Sequence, residues 1–239
     1  MNITFKTTFF VGLFTLLIAG FMMFYKTEIK PQNVSNKAYQ KAPMIAFEFA
    51  ETADDINKLF YINKENEKIP NQEFMDKMDF LNKIDFLFII SYVIFLAFFS
   101  ISLSKQNIVW LGYLGAFVSV VIGLADVIEN VQLLAILKKV NLVATYQPAL
   151  TLLNIWTWIK WGLLGLLMVI LLPCLFRKDS NIYDLMVGTL MVMVAILGLV
   201  AFVSKCPNWI AHYTQFIFLL FPIIILYSLA MWREWIGKR

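Results

Sequence analysis

Ionisable side chains that interrupt long apolar stretches are the residues best placed to do chemistry. The run D-V-I-E-N places Asp126, Glu129 and Asn130 within about one turn of helix, while Asp85 and Lys160 belong to two other apolar stretches. An ionisable group inside a membrane is costly unless it is paired or hydrated, so such groups are the first place to look for function. A carboxyl here could act as a general base, and Lys160 could hold an anionic group.

Composition identifies the apolar stretches as membrane spans. Of 239 residues, 60% are hydrophobic and 15% charged, and the mean hydropathy is +0.73. Soluble domains average about 45 to 50% apolar and about 25% charged residues. The fold class is therefore an all-α polytopic transmembrane bundle. The net charge of +4 is too small and dispersed to indicate a nucleic-acid partner.

Six stretches are long enough to cross a hydrocarbon core of about 30 Å, which takes about 20 residues of helix. They cover about 7–25, 85–104, 108–130, 153–176, 182–204 and 209–232. This divides the chain into an N-terminal span (1–25), a polar segment (26–84), a three-span core (85–176) and two further spans (177–239). The first span exceeds the about 7 to 15 residues of a signal-peptide core and lacks an A-x-A site, which favours a retained signal anchor over a cleaved signal peptide.

Lysines and arginines in the short loops predict the orientation, because these residues are retained in the cytoplasm. With both termini inside, the inner loops and tails hold Lys6, Lys105, Arg177, Lys178, Arg233, Lys238 and Arg239, against Lys138, Lys139 and Lys205 outside. Residues 26–84 are then exoplasmic, since long loops translocate largely regardless of charge. We expect a bacterial inner (plasma) membrane.

The exoplasmic segment has a linker and short ordered elements. Residues 26–43 are polar with two prolines, which indicates an irregular linker, and residues 45–50 form either a short strand or a helical turn. Thr52 and Asp55 then predict a capping box and a helix. The stretch NKENEKIPN predicts a polar turn, after which 71–84 continues as helix into the second span. About 40 ordered residues are too few for an independent core, so we expect this segment to pack on the outer ends of the spans.

Small and polar residues share one face of the third span. At 100° per residue, this stripe comprises Gly112, Ala116, Ser119, Gly123, Asp126 and Asn130. Small residues let a neighbouring helix approach closely, so the stripe faces the bundle interior and takes Asp126 and Asn130 with it. The stripe could pack within one chain or between two, which leaves a homo-oligomer open.

Four helices bring polar groups to one layer near the exoplasmic interface. Asp85 begins the second span and Asp126, Glu129 and Asn130 end the third, while the fourth contributes Lys160 with Thr157 above it and the sixth contributes His212. Tyr92, two turns below Asp85, could form the floor. The functional interpretation is a pocket open to the outside. The structural alternative has nearly equal weight, because a carboxylate paired with lysine also cross-links helices. His212, beside Trp209, is better explained as an interfacial residue.

Other residues indicate less chemistry. Cys174 and Cys206 fall on opposite sides of a span, so they predict neither a disulfide nor a thiol metal site, and a lone histidine cannot complete a zinc cluster. Motifs of nucleotide hydrolases, serine hydrolases and zincins are absent from the sequence. We therefore predict no cofactor and no metal. Asp184 is expected to be a solvated charge at a helix N-terminus.

Four motifs resemble a group of uncharacterised bacterial membrane proteins. They are I-A-F-E-F-A at 45–50, D-F-L-F-I-I-S-Y at 85–92, A-D-V-I-E-N at 125–130 and K-W at 160–161. The resemblance covers roughly residues 5–176 and implies an architecture without an activity: one anchor, an exoplasmic segment and three further spans, to which the last two spans are an addition. It also associates Glu48 with the polar layer.

Three functions are compatible with these observations. The first is a polar exoplasmic pocket, formed by Asp85, Asp126, Glu129, Asn130 and Lys160, that binds and could process an amphiphile or small solute, such as a lipid of the outer leaflet. The second is an ion-coupled transporter, which is weakened because the inner halves of the second to fourth spans lack ionisable residues. The third is a non-catalytic scaffold or accessory subunit that engages a membrane partner and whose polar layer is structural.

Overall fold

Nine helices and one β-hairpin are present in the residues that the computed structural model describes, which are 2–25, 31, 33–34, 36–64, 67–104, 108–140, 143–178 and 180–236. The elements are α1 (Asn2–Tyr25), α2 (Lys37–Lys41), α3 (Pro43–Glu48), α4 (Ala53–Phe60), β1 (Tyr61–Lys64), β2 (Glu67–Pro70), α5 (Gln72–Leu103), α6 (Val109–Leu137), α7 (Val143–Leu175), α8 (Ile182–Ser204) and α9 (Pro207–Ile236). The all-α prediction is confirmed.

Six of the described helices, α1 and α5 to α9, are long and apolar enough to cross a membrane. Each packs against the next along the chain, α1 on α5, α5 on α6, and so on to α9, and α9 returns to α1. The spans therefore form a closed ring. Its interior is apolar, and Phe95, Leu96 and Ile224 are among the fully buried residues.

Close approach between α5 and α6 depends on the glycines of α6. A Cβ atom built on Gly115 would lie 2.8 Å from the Ser100 side chain, and one on Gly123 would overlap Val93. Gly123, a member of the predicted small-residue stripe, thus packs against α5 of the same chain. Since lipid tails are as apolar as leucine, close van der Waals contact of this kind is what holds membrane helices together.

Helices α5, α6 and α7 are long enough to extend beyond the hydrocarbon core, and they carry the polar segment. The 32, 29 and 33 residues of α5, α6 and α7 correspond to helices about 44 to 50 Å long, against a core of about 30 Å. A second apolar core forms at the projecting ends, where Phe47, Ile56 and Phe60 of the segment pack with Leu133 and Leu150. We call this end of the bundle, on which residues 36–71 lie, the segment side.

The segment contains more regular structure than its sequence predicts. The capping box of Thr52 and Asp55 is present, as predicted. The strand alternative for 45–50 is wrong, because 43–48 is the helix α3, which begins with a proline at its first turn. The irregular linker prediction is wrong for 37–41, where Asn36 caps α2. The rest of that prediction falls partly on 26–30, 32 and 35, which lie outside the described residues.

Two further predictions are corrected. The polar turn predicted at NKENEKIPN is replaced at 63–64 and 67–70 by two antiparallel strands, in which Tyr61 pairs with Pro70, while 65–66 lie outside the described residues. The Tyr61 hydroxyl donates to the Val140 carbonyl, 3.3 Å away. This contact attaches the hairpin to the end of α6. The third and fourth spans are also longer than predicted, because the predicted boundaries follow hydropathy, whereas α6 and α7 project from the core.

Asp184 is buried rather than solvated, which contradicts the sequence expectation. Its side chain forms a capping box with Asn181 at the start of α8. The Tyr227 hydroxyl of α9 also donates to Asp184 Oδ1 over 2.6 Å. The neighbouring helix therefore covers a charge that the sequence of α8 alone would leave to solvent.

We expect Gly123→Ala to destabilise the bundle, because its Cβ would overlap Val93 in the α5–α6 contact. Overpacking of this kind costs about 1 to 3 kcal/mol. The measurement is the free energy of unfolding in detergent or nanodiscs. Gly20→Ala is the matched control, since a Cβ there meets nothing within 4 Å. Equal stability of the two variants would contradict this packing.

Candidate functional site

Lys160 of α7 lies at the centre of three carboxylates from two other helices, α3 and α6. Its Nζ is 3.0 Å from Glu48 Oε2, 3.1 Å from Asp126 Oδ1 and 2.7 Å from Glu129 Oε1. All four residues are buried, and Glu129 is 0% exposed. We call these four residues the Lys160 cluster. It joins α3, α6 and α7 at the segment side of the bundle.

Glu48 docks the polar segment onto α7 through side-chain and backbone contacts. The Trp161 indole Nε1 donates to Glu48 Oε2 over 3.0 Å, the same oxygen that Lys160 contacts. The Thr157 hydroxyl donates to the Glu48 backbone carbonyl, also over 3.0 Å. Since each of these groups would be unsatisfied without the others, α3 is held in one position against α7.

Helix α5 contributes two hydrogen bonds beside the cluster. The Tyr92 hydroxyl donates to Asp126 Oδ2 over 2.7 Å, so both oxygens of Asp126 are engaged. The Asn130 amide donates to Asp85 Oδ2 over 2.6 Å. Asp85 is half-buried, whereas Asn130 is buried. Asp85 is thus the more accessible carboxylate in this layer.

The cluster carries an excess of negative groups. Three carboxyl groups surround one ammonium group. Glu129 Oε2 is buried and has no hydrogen-bond partner among the described residues. A buried charge without a partner is strongly unfavourable. The single ammonium of Lys160 therefore cannot by itself compensate three ionised carboxylates.

The structure brings most of the candidate residues into one layer and leaves one outside. The residues in contact there are Glu48, Asp85, Tyr92, Asp126, Glu129, Asn130, Thr157 and Lys160. His212 is exposed on α9 and packs edge to face with Trp209, 6.1 Å between ring centroids. The predicted contribution of the sixth span to the layer is therefore absent from the described contacts.

The cluster is closed, and an apolar groove lies next to it. The groove runs between α7 and α8, against Tyr213 of α9, and has a volume of about 560 Å³. Its lining includes Trp158, Trp161, Gly162, Gly165, Gly198 and Phe202. Leu166 and Leu199, also in the lining, are exposed on the outer surface of the bundle. The groove therefore opens sideways, where a bilayer would lie.

Trp161 connects the cluster with the groove. Its indole nitrogen bonds Glu48, while its ring lines the groove. Sequence reasoning did not identify Trp161 as a site residue, although the K-W pair offered a signal. The groove was also missed. The available signal was the spacing of Gly162 and Gly165, which are three residues apart and therefore lie close together on one face of α7. Gly198 is the small residue that α8 contributes.

The six apolar helices make this chain a multi-pass integral membrane protein in contact with lipid. Among the described residues, no group of His, Cys, Asp and Glu side chains has the arrangement of a metal site. No family model, curated protein or solved structure matches the chain. The functional interpretation therefore depends on the geometry of the cluster and the groove.

Lys160→Met is expected to destabilise the protein by about 3 to 5 kcal/mol, because removing one partner leaves the others as buried, uncompensated charges. The measurement is the free energy of unfolding in nanodiscs. Lys58→Met is the control, since Lys58 pairs with Asp54 on the surface and both side chains are exposed. We expect the control to leave the unfolding midpoint nearly unchanged. A Lys160→Met protein as stable as the control would exclude an ionic cross-link.

Proposed function

We propose that this protein binds a membrane phospholipid, with one acyl chain in the α7–α8 groove and the phosphate at the segment side. The observation that carries the proposal is the apolar groove, which opens on the bilayer-facing surface and ends next to the Lys160 cluster. Binding sites for small molecules are mostly apolar concavities with a few polar groups at one end. The groove has this form.

The length of the groove supports an acyl chain as occupant. On α7 the lining extends from Trp158 to Leu172, which is about 21 Å of helix at 1.5 Å per residue. One leaflet contributes about 15 Å to a hydrocarbon core of about 30 Å. An acyl chain of a leaflet lipid therefore fits along the groove with its headgroup at the segment side.

Charge supports a phosphate at that end. Lys205 follows the last turn of α8, three residues after Phe202 of the groove lining, and its side chain is exposed. It caps the helix in a left-handed conformation, with φ of 49°. A lysine at the membrane surface attracts an anionic lipid by about 1 kcal/mol. Trp158 also lines the groove, and its buried indole nitrogen has no hydrogen-bond partner among the described residues, which leaves one more donor at this end.

The closed state of the Lys160 cluster supports a structural role for the cluster itself. Its members are at most 7% exposed, which leaves no opening for a solute, so we place the ligand in the groove and not among the carboxylates. This burial also favours a second candidate function, an accessory subunit in which the cluster fixes the polar segment for a partner. Glu48, the residue that docks the segment, is the observation behind this alternative.

We further propose that the segment side is exoplasmic and that both termini are cytoplasmic, as the loop charges predict. Cys206 offers a test, because it lies on the segment side and is half-buried, whereas Cys174 is buried. A membrane-impermeant maleimide should label Cys206 in intact spheroplasts of a bacterial host, and Cys206→Ser should abolish the label. Labelling that appears only after lysis would reverse the orientation.

The groove is tested with Gly162→Leu, in which the added side chain should occupy the groove without displacing protein, since a Cβ there meets nothing within 4 Å. The probe is phosphatidylglycerol with brominated acyl chains, and the readout is quenching of tryptophan fluorescence in detergent. We expect saturable quenching in the wild type, little of it in Gly162→Leu, and an intact response in the control Gly20→Leu. Lys205→Gln should weaken binding about fivefold, in line with about 1 kcal/mol per surface lysine.

Trp158→Phe and Trp161→Phe, made separately, identify the reporter, since both indole rings line the groove. Identical quenching of the wild type and Gly162→Leu would contradict a lipid site in the groove. If the polar segment instead captures a stoichiometric protein partner while quenching stays non-saturable, the accessory-subunit alternative is favoured.

A further inference from the structure

The Lys160 cluster has features that the lipid proposal does not use. We propose that it is a proton-binding site and that Glu129 carries the proton. This inference is independent of the groove, because it depends only on contacts among α3, α5, α6 and α7.

The charge balance of the cluster calls for a bound cation. Three carboxyl groups lie within 3.1 Å of the Lys160 ammonium, so full ionisation would leave two negative charges uncompensated in a buried site. A buried ionised carboxylate without a partner costs so much that such groups take up a proton instead. Because the Lys160 ammonium already occupies the space among the three carboxyl groups, a proton on a carboxyl oxygen is the further cation that fits.

The hydrogen bonds assign the proton to Glu129. Asp126 receives donors on both oxygens, from Lys160 and Tyr92, and Glu48 Oε2 receives two, from Lys160 and Trp161. Glu129 receives one, on Oε1. Its Oε2 has no partner although the residue is 0% exposed. A protonated carboxyl tolerates this position better than a carboxylate, because it carries no net charge.

The charged groups around Glu129 on the packed elements favour its protonated form, with one exception. They are Glu48 from α3, Asp85 from α5, Asp126 from α6 itself and Lys160 from α7. The Tyr92 hydroxyl, also from α5, is neutral and bonds Asp126. Lys160 is the opposing cation, and it is shared among three carboxyl groups. From α8 and α9, Lys205 and His212 are exposed and make no described contact with the cluster.

Polar side chains also continue from the cluster towards the segment side. Asp85 is half-buried and bonds Asn130, the residue after Glu129. One turn before Asp85 on α5, Asn82 is 0% exposed, and neither its amide nitrogen nor its amide oxygen has a hydrogen-bond partner in the part of the chain that the structure describes. Buried amides without partners are rare. These residues therefore place further polar groups beside the cluster, on the part of α5 that leads to the segment side.

The first experiment is infrared spectroscopy of the protein in nanodiscs with carboxyl-¹³C glutamate. At neutral pH, the wild type should show the C=O stretch of one protonated glutamate, identified by its isotope shift. Glu129→Gln should remove this band. Glu73→Gln is the matched control and should retain it, since Glu73 is an exposed partner of Lys77. A wild-type spectrum without a protonated glutamate overturns the proposal.

The second experiment is the pH dependence of unfolding. A folded state that keeps a proton which the unfolded state releases loses stability as pH rises above the glutamate range, about pH 5. The folded-to-unfolded ratio of the wild type should therefore fall, relative to Glu129→Gln, by up to about tenfold per pH unit. Equal pH dependence of the two proteins contradicts the assignment.

Glu48→Asp keeps the proposal testable if Glu129→Gln does not fold, because it keeps the charge of the cluster and removes the labelled glutamate from α3. A labelled protonated-glutamate band that survives Glu48→Asp supports Glu129, because Glu48 is the other glutamate in contact with Lys160. Loss of the labelled band in Glu48→Asp assigns the proton to α3 and overturns the proposal.

Discussion

The ammonium group of Lys160 must be compensated where it is buried, and this requirement fixes the arrangement of three helices. A lysine this deep in the bundle is tolerated only when anionic groups reach it, and those groups come from α3 and α6. Helix α6 is thereby set in register against α7, and the polar segment is bound at one height. The apolar contacts of the ring are close but not directional, so they cannot define this register by themselves.

The same arrangement relates the two proposed sites. Trp161 bonds Glu48 through its nitrogen and lines the groove with its ring. An acyl chain against this ring and a proton among the carboxyl groups would therefore act on opposite sides of one residue. A small shift of the Trp161 indole would therefore change the contacts in both the groove and the Lys160 cluster, because packed interiors transmit displacement. The Phe49 ring, 5.0 Å from that of Trp158, adds a second aromatic contact between the segment and α7.

The sequence predicts the spans and much of the polar layer, but less of the segment. Long apolar runs are a strong signal for membrane spans. Helical spacing correctly predicted that Asp126 faces the interior of the bundle. Glu48 was assigned to the polar layer only through a resemblance, since its contact with Lys160 joins residues that are distant in the chain. The hairpin at 61–70 was missed because its stability comes from packing on the ends of α6, which local sequence does not encode. Asp184 was placed in solvent for the same reason: Tyr227, from another helix, covers it.

The closed ring has a consequence for biosynthesis. Helix α1 packs on α5 and also on α9, and α1 is made before α9, so its packing is complete only after α9 has been made. At about 5 to 20 residues per second, synthesis of the stretch from α1 to α9 takes roughly 10 to 50 seconds. During that interval, the faces of α1 and α5 that α9 will cover are open to lipid or to an insertion chaperone. Closure of the ring is therefore a step that can begin only when α9 leaves the translocon.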